Sequence, residues 1–449
     1  MRRAAVLLLA LAALLAAPAA ARAAWQAPCM PGGHGPTCTW WNARTTFVPD
    51  GDTIWAKLAG SRKTWTVRFV GINAMELRRY SAIASRRRGD CHGVEATDLV
   101  DRLIRRSHGR VRLAAQDPAS RSGGRLLRSV WVKRNGHWRD LSRIVLRRGL
   151  ALWLAQPVEY AHNADYAALA QRVAAERRGL FAPSACGDGP DQDASIEVDV
   201  NWDADGDDAL NLDGEWVELR NRGPRPLPLG GWWLRDAGHR VSRTLPKRSG
   251  YAFPPGVTIP PGGAVRLHTG CGADTATDLY WCERTALFQN VTRDDRHIGD
   301  GAYLFDPQGD LRAFQIYPCT GACSDPLQGR VAVTAQPRGA EAIGVRNLSG
   351  APADLSGHVL KLHSRSHPGA YVFSYPLPNG TVLAPGQALT LRVQGDLGRP
   401  PRRLADAGGA VSLRSFTDIV VDCFAWGPVE EFRYACCGTS GAPGATDAT

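Results

Sequence analysis

Beyond its first 25 residues the 449-residue chain has no apolar run long enough to span a bilayer. Cys-x-x-Cys pairs and a collagen-like glycine period are also missing. These absences exclude a multi-span membrane protein, a paired-cysteine redox or zinc motif and a fibre. What remains is 44% apolar and 22% charged, with a mean hydropathy of −0.24. That is the composition of folded, soluble domains and excludes a wholly disordered chain. The length is too great for one compact core and implies two to four domains. The 48 glycines and 30 prolines imply many turns, hence a β-rich portion.

Arg2 and Arg3 precede the apolar run, and Ala21 and Ala23 supply small residues ahead of Ala24. This is the pattern of a removable signal peptide over residues 1–23. A single anchoring helix is the alternative, but the strongly apolar stretch is shorter than the ~20 residues that a span needs. Pro28 before Cys29 does not suit a lipoprotein acceptor. The chain is therefore expected to be secreted, without stable membrane insertion. In an oxidising compartment its 11 cysteines read as disulfides. Near neighbours are Cys29/Cys38, Cys271/Cys282 and Cys319/Cys323. Cys91 is matched with Cys186, and Cys423 with Cys436 or Cys437, which leaves one thiol over.

Charge divides the chain. Trp41 to Pro183 holds 27 Lys and Arg against 12 Asp and Glu, a net of +15, whereas Ser184 to Thr449 holds 24 against 31, a net of −7. A basic block of that size attracts polyanions, nucleic acid first among them. Arginine excess from codon bias alone would not leave the other half acidic.

Within the basic block, TTFVPDGDTIWAKL reads as two strands around an Asp-Gly turn, and TWTVRFVGI as a third strand. GVEATDLVDRLIRR reads as an amphipathic helix with Val94, Leu99, Leu103 and Ile104 on one side. RVRLAAQD and GRLLRSVWV are further strands, and DLSRIVLRRGLALW is a helix. NADYAALAQRVAAERRGLF closes the block as a helix with Asn163 as its cap. Five strands with interleaved helices suit an OB-fold-type β-barrel with α-helices, an α+β arrangement. Its chemistry-bearing residues are Asp50 and Asp52 in DGDT, Arg68 on a strand, Glu76 beyond that strand's end, and Arg125 opening a later strand. Phosphodiester hydrolysis needs this set: hard oxygen ligands for a cation, guanidinium groups for the phosphate's growing charge, and a carboxylate to take a proton from water.

The order DGDT, VRFVGI with AMEL, then Asp117 ahead of GGRLL resembles the staphylococcal-nuclease (thermonuclease-like) family, whose pattern is approximately DGDT, VRLxGIDxPE, and D ahead of YGRxLA. The resemblance runs from about Arg44 to Pro183. It implies that Asp52 is a Ca2+ ligand with Asp50 supporting it, that Glu76 is the general base, and that Arg68 and Arg125 bind the phosphate. The family's second carboxylate ligand falls on Asn73, whose amide oxygen coordinates without bringing charge. Ala74 stands where a backbone carbonyl completes the site. Met75 replaces the usual proline, and Gly123 and Gly124 stand near the place of a lysine and tyrosine.

The stretch after Cys186 is acidic and turn-rich. Asn201, Asp203, Asp205 and Gly206 imitate the opening of an EF-hand loop, but Leu212 takes the place of its bidentate glutamate. From Glu215 onward, strands alternate with Gly/Pro turns and helical periods are absent, the mark of β-sandwiches. The pattern also repeats: VELRNRGPRPLPLGGWWL is echoed by IGVRNLSGAPADLSGHVL, which matches Asn221 to Asn347. WVELRN, GWWLRD and FPPGVTIPPGG resemble the lamin-tail domain, an immunoglobulin-like fold, and the second copy is similar but diverged. For Trp216, Trp232 and Trp233 a core role is preferred over ligand stacking.

The expected division is residues 24–43 as a disulfide-containing segment, 44–186 as a nuclease-like domain, 187–195 as linker, 196–320 and 321–437 as two immunoglobulin-like sandwiches, and 438–449 as tail. The expected function is a secreted nuclease acting on DNA and RNA, assisted by Ca2+. Its sandwiches would meet a cell-surface or protein partner. The competing expectation is a weak or inactive nucleic-acid-binding or envelope scaffold.

Overall fold

The computed structural model describes residues 24–30, 36–76, 91–183, 193–204, 207–238, 250–291, 296, 298–318, 325–364, 373–397, 403–415 and 419–428. The expected signal peptide, the tail, and Asp205, Gly206, Cys186, Cys319, Cys323, Cys436 and Cys437 lie outside these residues. Strands predominate, in several sheets, and no helix among the described residues is long and apolar enough to cross a membrane. Disulfides Cys29–Cys38 and Cys271–Cys282 are formed, and Cys91 and Cys423 are disulfide-bonded as well.

The first module contains β1 (Trp25–Pro28), β2 (Thr37–Asp50), β3 (Thr53–Leu58), β4 (Thr64–Phe69), β5 (Ile72–Ala74), α1 (Gly93–Arg106), β6 (Arg110–Ala115), β7 (Arg121–Ser122), β8 (Arg125–Arg134), β9 (His137–Asp140), α2 (Leu141–Arg147), β10 (Ala151–Trp153) and α3 (Asn163–Ala175). Its main sheet runs β1-β2-β3-β4-β8-β6, with β4 and β8 parallel. The first half of β2 also pairs with β6, from Thr39↔Ala115 to Arg44↔Arg110. β2 runs straight through the expected boundary at 43/44, so β1 and the first half of β2 belong to this sheet.

Three local expectations need correction. Val94 is exposed, because α1 buries Ala96, Thr97, Val100, Leu103 and Ile104, and a 100° step per residue turns position 94 away from that stripe. DLSRIVLRRGLALW is not one helix: Gly149, at φ +67°, ends it and the chain enters β10. A Cβ at Gly149 would lie 2.2 Å from the carbonyl oxygen of Arg178, so the break also admits the chain that follows α3. Asn163 is the first residue of α3 rather than its cap. Fully buried, it binds the backbone N–H and C=O of Gln156 at 3.0 and 3.1 Å and fixes the preceding loop.

The second module contains β11 (Ile196–Asn201), β12 (Trp216–Asn221), β13 (Leu227–Pro228), β14 (Trp233–Asp236), β15 (Tyr251–Ala252), β16 (Thr258–Ile259), β17 (Ala264–His268), β18 (Asp278–Tyr280), β19 (Asp300–Phe305) and β20 (Leu311–Tyr317). Sheets β11-β12-β17-β18 and β15-β14-β19-β20 enclose one core containing Trp202, Leu219, Trp232, Leu234, Leu267 and Leu304. The third module contains β21 (Val331–Gln336), β22 (Ala342–Asn347), β23 (Ala353–Asp354), β24 (Val359–Ser364), β25 (Phe373–Pro376), β26 (Val382–Leu383), β27 (Ala388–Arg392), β28 (Gly409–Arg414) and β29 (Val420–Trp426).

The third module repeats the sheet order of the second, β21-β22-β27, β23-β26 and β25-β24-β28-β29, except that no described strand matches β18. The repeat extends to side chains. Asn221 Nδ2 donates to the carbonyls of Arg225 and Ile259, at 2.7 and 3.0 Å. Asn347 Nδ2 donates to those of Ala351 and Leu383, at 2.8 and 2.9 Å. In both modules the asparagine ties a strand end to the loop that follows.

Glu215 is a buried titrating group at the start of β12. Its carboxylate accepts from Thr269 Oγ1 and from the backbone N–H groups of Leu287 and Phe288, at 2.6, 2.8 and 3.1 Å. Burial outweighs these donors and pushes its pKa up to about 7. Because the folded value lies above the unfolded one, this group's contribution is greatest below pH 4.5. It falls by roughly 1.4 kcal/mol per pH unit between pH 4.5 and 7. The urea midpoint should therefore drop across that window, and Glu215→Gln should remove that part of the drop. An identical pH profile in the variant would refute the assignment.

Candidate functional site

Asp52 occupies the tip of the β2–β3 hairpin, where its N–H donates to Asp50 Oδ1 at 3.1 Å. The Asp52 side chain is buried at 2% exposure. Oδ1 accepts from Thr53 Oγ1 at 3.0 Å and from Arg68 Nη1, and Oδ2 accepts from the N–H of Ala74 at 2.7 Å. Arg68 reaches this point from β4, paired opposite Thr53. Its second nitrogen donates to Asn73 Oδ1 at 2.8 Å and to the carbonyl of Ile72 at 3.2 Å.

Arg125 opens β8 immediately after a two-residue hairpin, Gly123–Gly124, both at positive φ. That backbone is the primed hairpin turn, which favours glycine at both positions. The two glycines thus deliver Arg125 into the site, where it donates to Thr53 Oγ1 at 3.3 Å. Glu76 follows β5 and is exposed. It is close enough for its charge to act on both Asp52 and Arg125.

The five charged groups therefore share one locality. Burial pushes Asp52 up to about 7; Arg68 opposes the shift, and Asp50 and Glu76 add to it. Burial, followed by the nearby Arg68, holds the Arg125 guanidinium below its ordinary value. With Asp52 ionised, three carboxylates against two guanidiniums leave one negative charge for a cation to balance. Among the described residues no three Asp, Glu, His or Cys side chains gather as a metal cage. A metal here would rest on Asp52, the Asn73 amide oxygen and the Ala74 carbonyl, with Asp50 behind. The side-chain oxygens of Asp52 and Asn73 already converge on one cation, the Arg68 guanidinium, and all are hard donors of the kind calcium takes.

Asp117 is not brought to this site. Its carboxylate accepts from the N–H of Ala119 at 2.7 Å, and its charge acts on Arg128. The acidic loop after β11 is tied to protein partners: Asn290 Nδ2 donates to Asp203 and Asp208 at 3.2 and 2.6 Å, and Asn201 Nδ2 donates to the carbonyl of Gly214 at 2.5 Å.

Two participants add to the expected set: Thr53, the last residue of DGDT, which bridges Asp52 to Arg125, and Ala237 of the second module. Asn73 Nδ2 donates to the carbonyl of Ala237 at 2.6 Å. Ala237 is itself held there, its N–H donating to Asp300 at 3.3 Å and its carbonyl accepting from Arg235 at 3.1 Å. An aspartate at position 73 would have no donor for that carbonyl, so the asparagine has a structural use whatever its use to a metal. Asn73→Asp should cost about 1–3 kcal/mol of stability, because a buried carboxylate would then face the Ala237 carbonyl, which keeps only its bond from Arg235. An unmoved urea midpoint would show that the amide contributes nothing there.

Trp232 and Trp233 are buried at 1% and 4% exposure, whereas Trp216 is half-buried with Arg266 stacked 4.4 Å from its ring centre. Residues 194–317 match the lamin tail domain family, an immunoglobulin-like domain that coincides with the second module. No curated protein matches the chain.

Proposed function

We propose that residues 25–183 form a nucleic-acid phosphodiesterase of the staphylococcal-nuclease type. In this reading the main sheet is an OB-type barrel, with the third module as a diverged copy of the lamin tail domain. The observation that carries the proposal is the convergence of Asp50, Asp52, Arg68, Glu76 and Arg125, drawn from four separate stretches of chain, on one locality. The pairing of β2 with both β3 and β6 supports the barrel.

Glu76, exposed to solvent, accepts the proton of the attacking water. Arg125 and Arg68 hold the non-bridging phosphate oxygens, and Arg68 leaves Asp52 to do so. Asp52, Asn73 and the Ala74 carbonyl would hold Ca2+, which when bound supplies positive charge for the phosphate oxygens. Thr53 keeps Arg125 in register with Asp52. The basic balance of the block favours DNA or RNA as substrate. The disulfides suit an oxidising compartment, and a secreted enzyme fits them.

The test is release of acid-soluble nucleotides from heat-denatured DNA with calcium or with chelator, by wild type, Glu76→Gln and Arg68→Ala. Activity indifferent to chelator and to both substitutions would remove the mechanism. A second reading, a polyanion-binding scaffold, is favoured by one observation: Arg68 is fully engaged with Asp52, Asn73 and Ile72. Salt-sensitive DNA binding with no cleavage under any metal would decide for it.

A further inference from the structure

The outward row of β3 continues from the site into an aromatic and then a cationic step. Residues two apart on a strand share a face, and directly paired residues do too. Thr53, in contact with Asp52 and Arg125, pairs with Arg68; Trp55 pairs with Phe47 and Thr66; Lys57 pairs with Arg44 and Thr64. The three rows lie ~7 Å apart, two residues' rise along the strand. Trp55 is 44% exposed, and its ring lies 5.0 Å from that of Phe47, tilted by 56°. Lys57 and Arg44 are exposed beyond it. An indole on a solvent-facing strand of a basic module, placed between a phosphate-binding candidate and two cations, matches what a single strand requires. Bases stack on the aromatic, and phosphates meet the charges on either side.

We propose that the face of β2, β3 and β4 is a binding track for single-stranded nucleic acid: one base stacks on the Trp55–Phe47 pair, and the phosphates flanking it contact Arg125 on one side and Lys57 and Arg44 on the other. A duplex keeps its bases stacked internally and cannot use the indole, so the track selects unpaired strands. This inference rests on the nucleic-acid reading above and adds the strand type and the path.

The experiment is fluorescence anisotropy of the full chain with fluorescein-labelled dT12 and with a labelled 12-base-pair duplex, in low salt and over a salt series. Trp55→Ala should weaken dT12 binding by about 5- to 150-fold, Trp55→Phe should recover most of it, and the duplex should be little affected. Lys57→Gln should lower the salt slope for dT12 by roughly one. Unchanged dT12 affinity in Trp55→Ala, or an equal loss on the duplex, would overturn the track while leaving the nucleic-acid reading intact. If the wild-type chain bound neither probe at low salt, that reading would fall and the track with it.

Discussion

Glu76→Gln is expected to lower nucleotide release from denatured DNA by about 10²–10⁴-fold, the usual contribution of a positioned general base. Stability should stay within about 0.5 kcal/mol of wild type, since the residue is exposed at the end of β5. The contrast with Arg68→Ala gives this substitution its value. Arg68 binds Asp52, Asn73 and the Ile72 carbonyl together. Removing it strands a buried carboxylate, at a cost of about 3–5 kcal/mol, so lost activity there would mix a folding defect with a chemical one. Glu76→Gln also removes a negative charge that raises the pKa of Asp52, so the Asp52 carboxyl should ionise more readily in the variant. A fall in rate therefore cannot come from a weaker Asp52. At saturating calcium, a lowered kcat with KM little changed is the signature of the missing proton acceptor. Wild-type kcat in the variant would end the assignment of Glu76.

What could be read from the sequence follows the reach of each physical signal. The DGDT turn, the strand carrying Arg68 and the strand opened by Arg125 are local patterns, with alternating burial or a hairpin turn inside a short window, and the structure contains them. The internal repeat was legible because Asn221 and Asn347 do the same work at the same strand end. Gly123 and Gly124 stand near the place of a lysine and tyrosine, and their positive φ values make the turn that presents Arg125. Local pattern misled in DLSRIVLRRGLALW, where apolar periodicity continues past a glycine that the backbone uses to turn. Asn73 shows the limit more sharply. Its substitution for an acid looked like a weakened ligand, because nothing within a few residues points to a carbonyl 164 positions away. One signal for that contact was present: WWL and YLF are consecutive apolar runs where a half-exposed strand should alternate, which is how strands covered on both faces read.

That signal leads to the other large effect. β14, β19 and β20 direct Leu234, Ala302, Leu304 and Ala313 into the sandwich core of the second module. The intervening Trp233, Tyr303, Phe305 and Ile316 join the core of the first, with Trp153, Tyr166 and Phe181. Trp233 stacks on Phe305 at 4.2 Å, and Phe181 meets Phe314 edge-on at 4.9 Å across the same junction. The two modules thus share one apolar interior, and the junction ends at Asn73, inside the candidate site. Trp233→Ala should cost about 3–5 kcal/mol. The loss should appear as hydrogen-exchange deprotection of β5 and β10 in the first module as well as β14 and β19 in the second. Trp232→Ala is the control: its side chain is equally buried but faces the sandwich core, so the second module should loosen first. If Trp233→Ala left β5 and β10 protected, the first module would be self-sufficient and the lamin tail domain a passenger. If both loosen, the domain braces the floor of the site, and truncation after Pro183 should remove Asn73's partner together with the apolar face that keeps β5 in place.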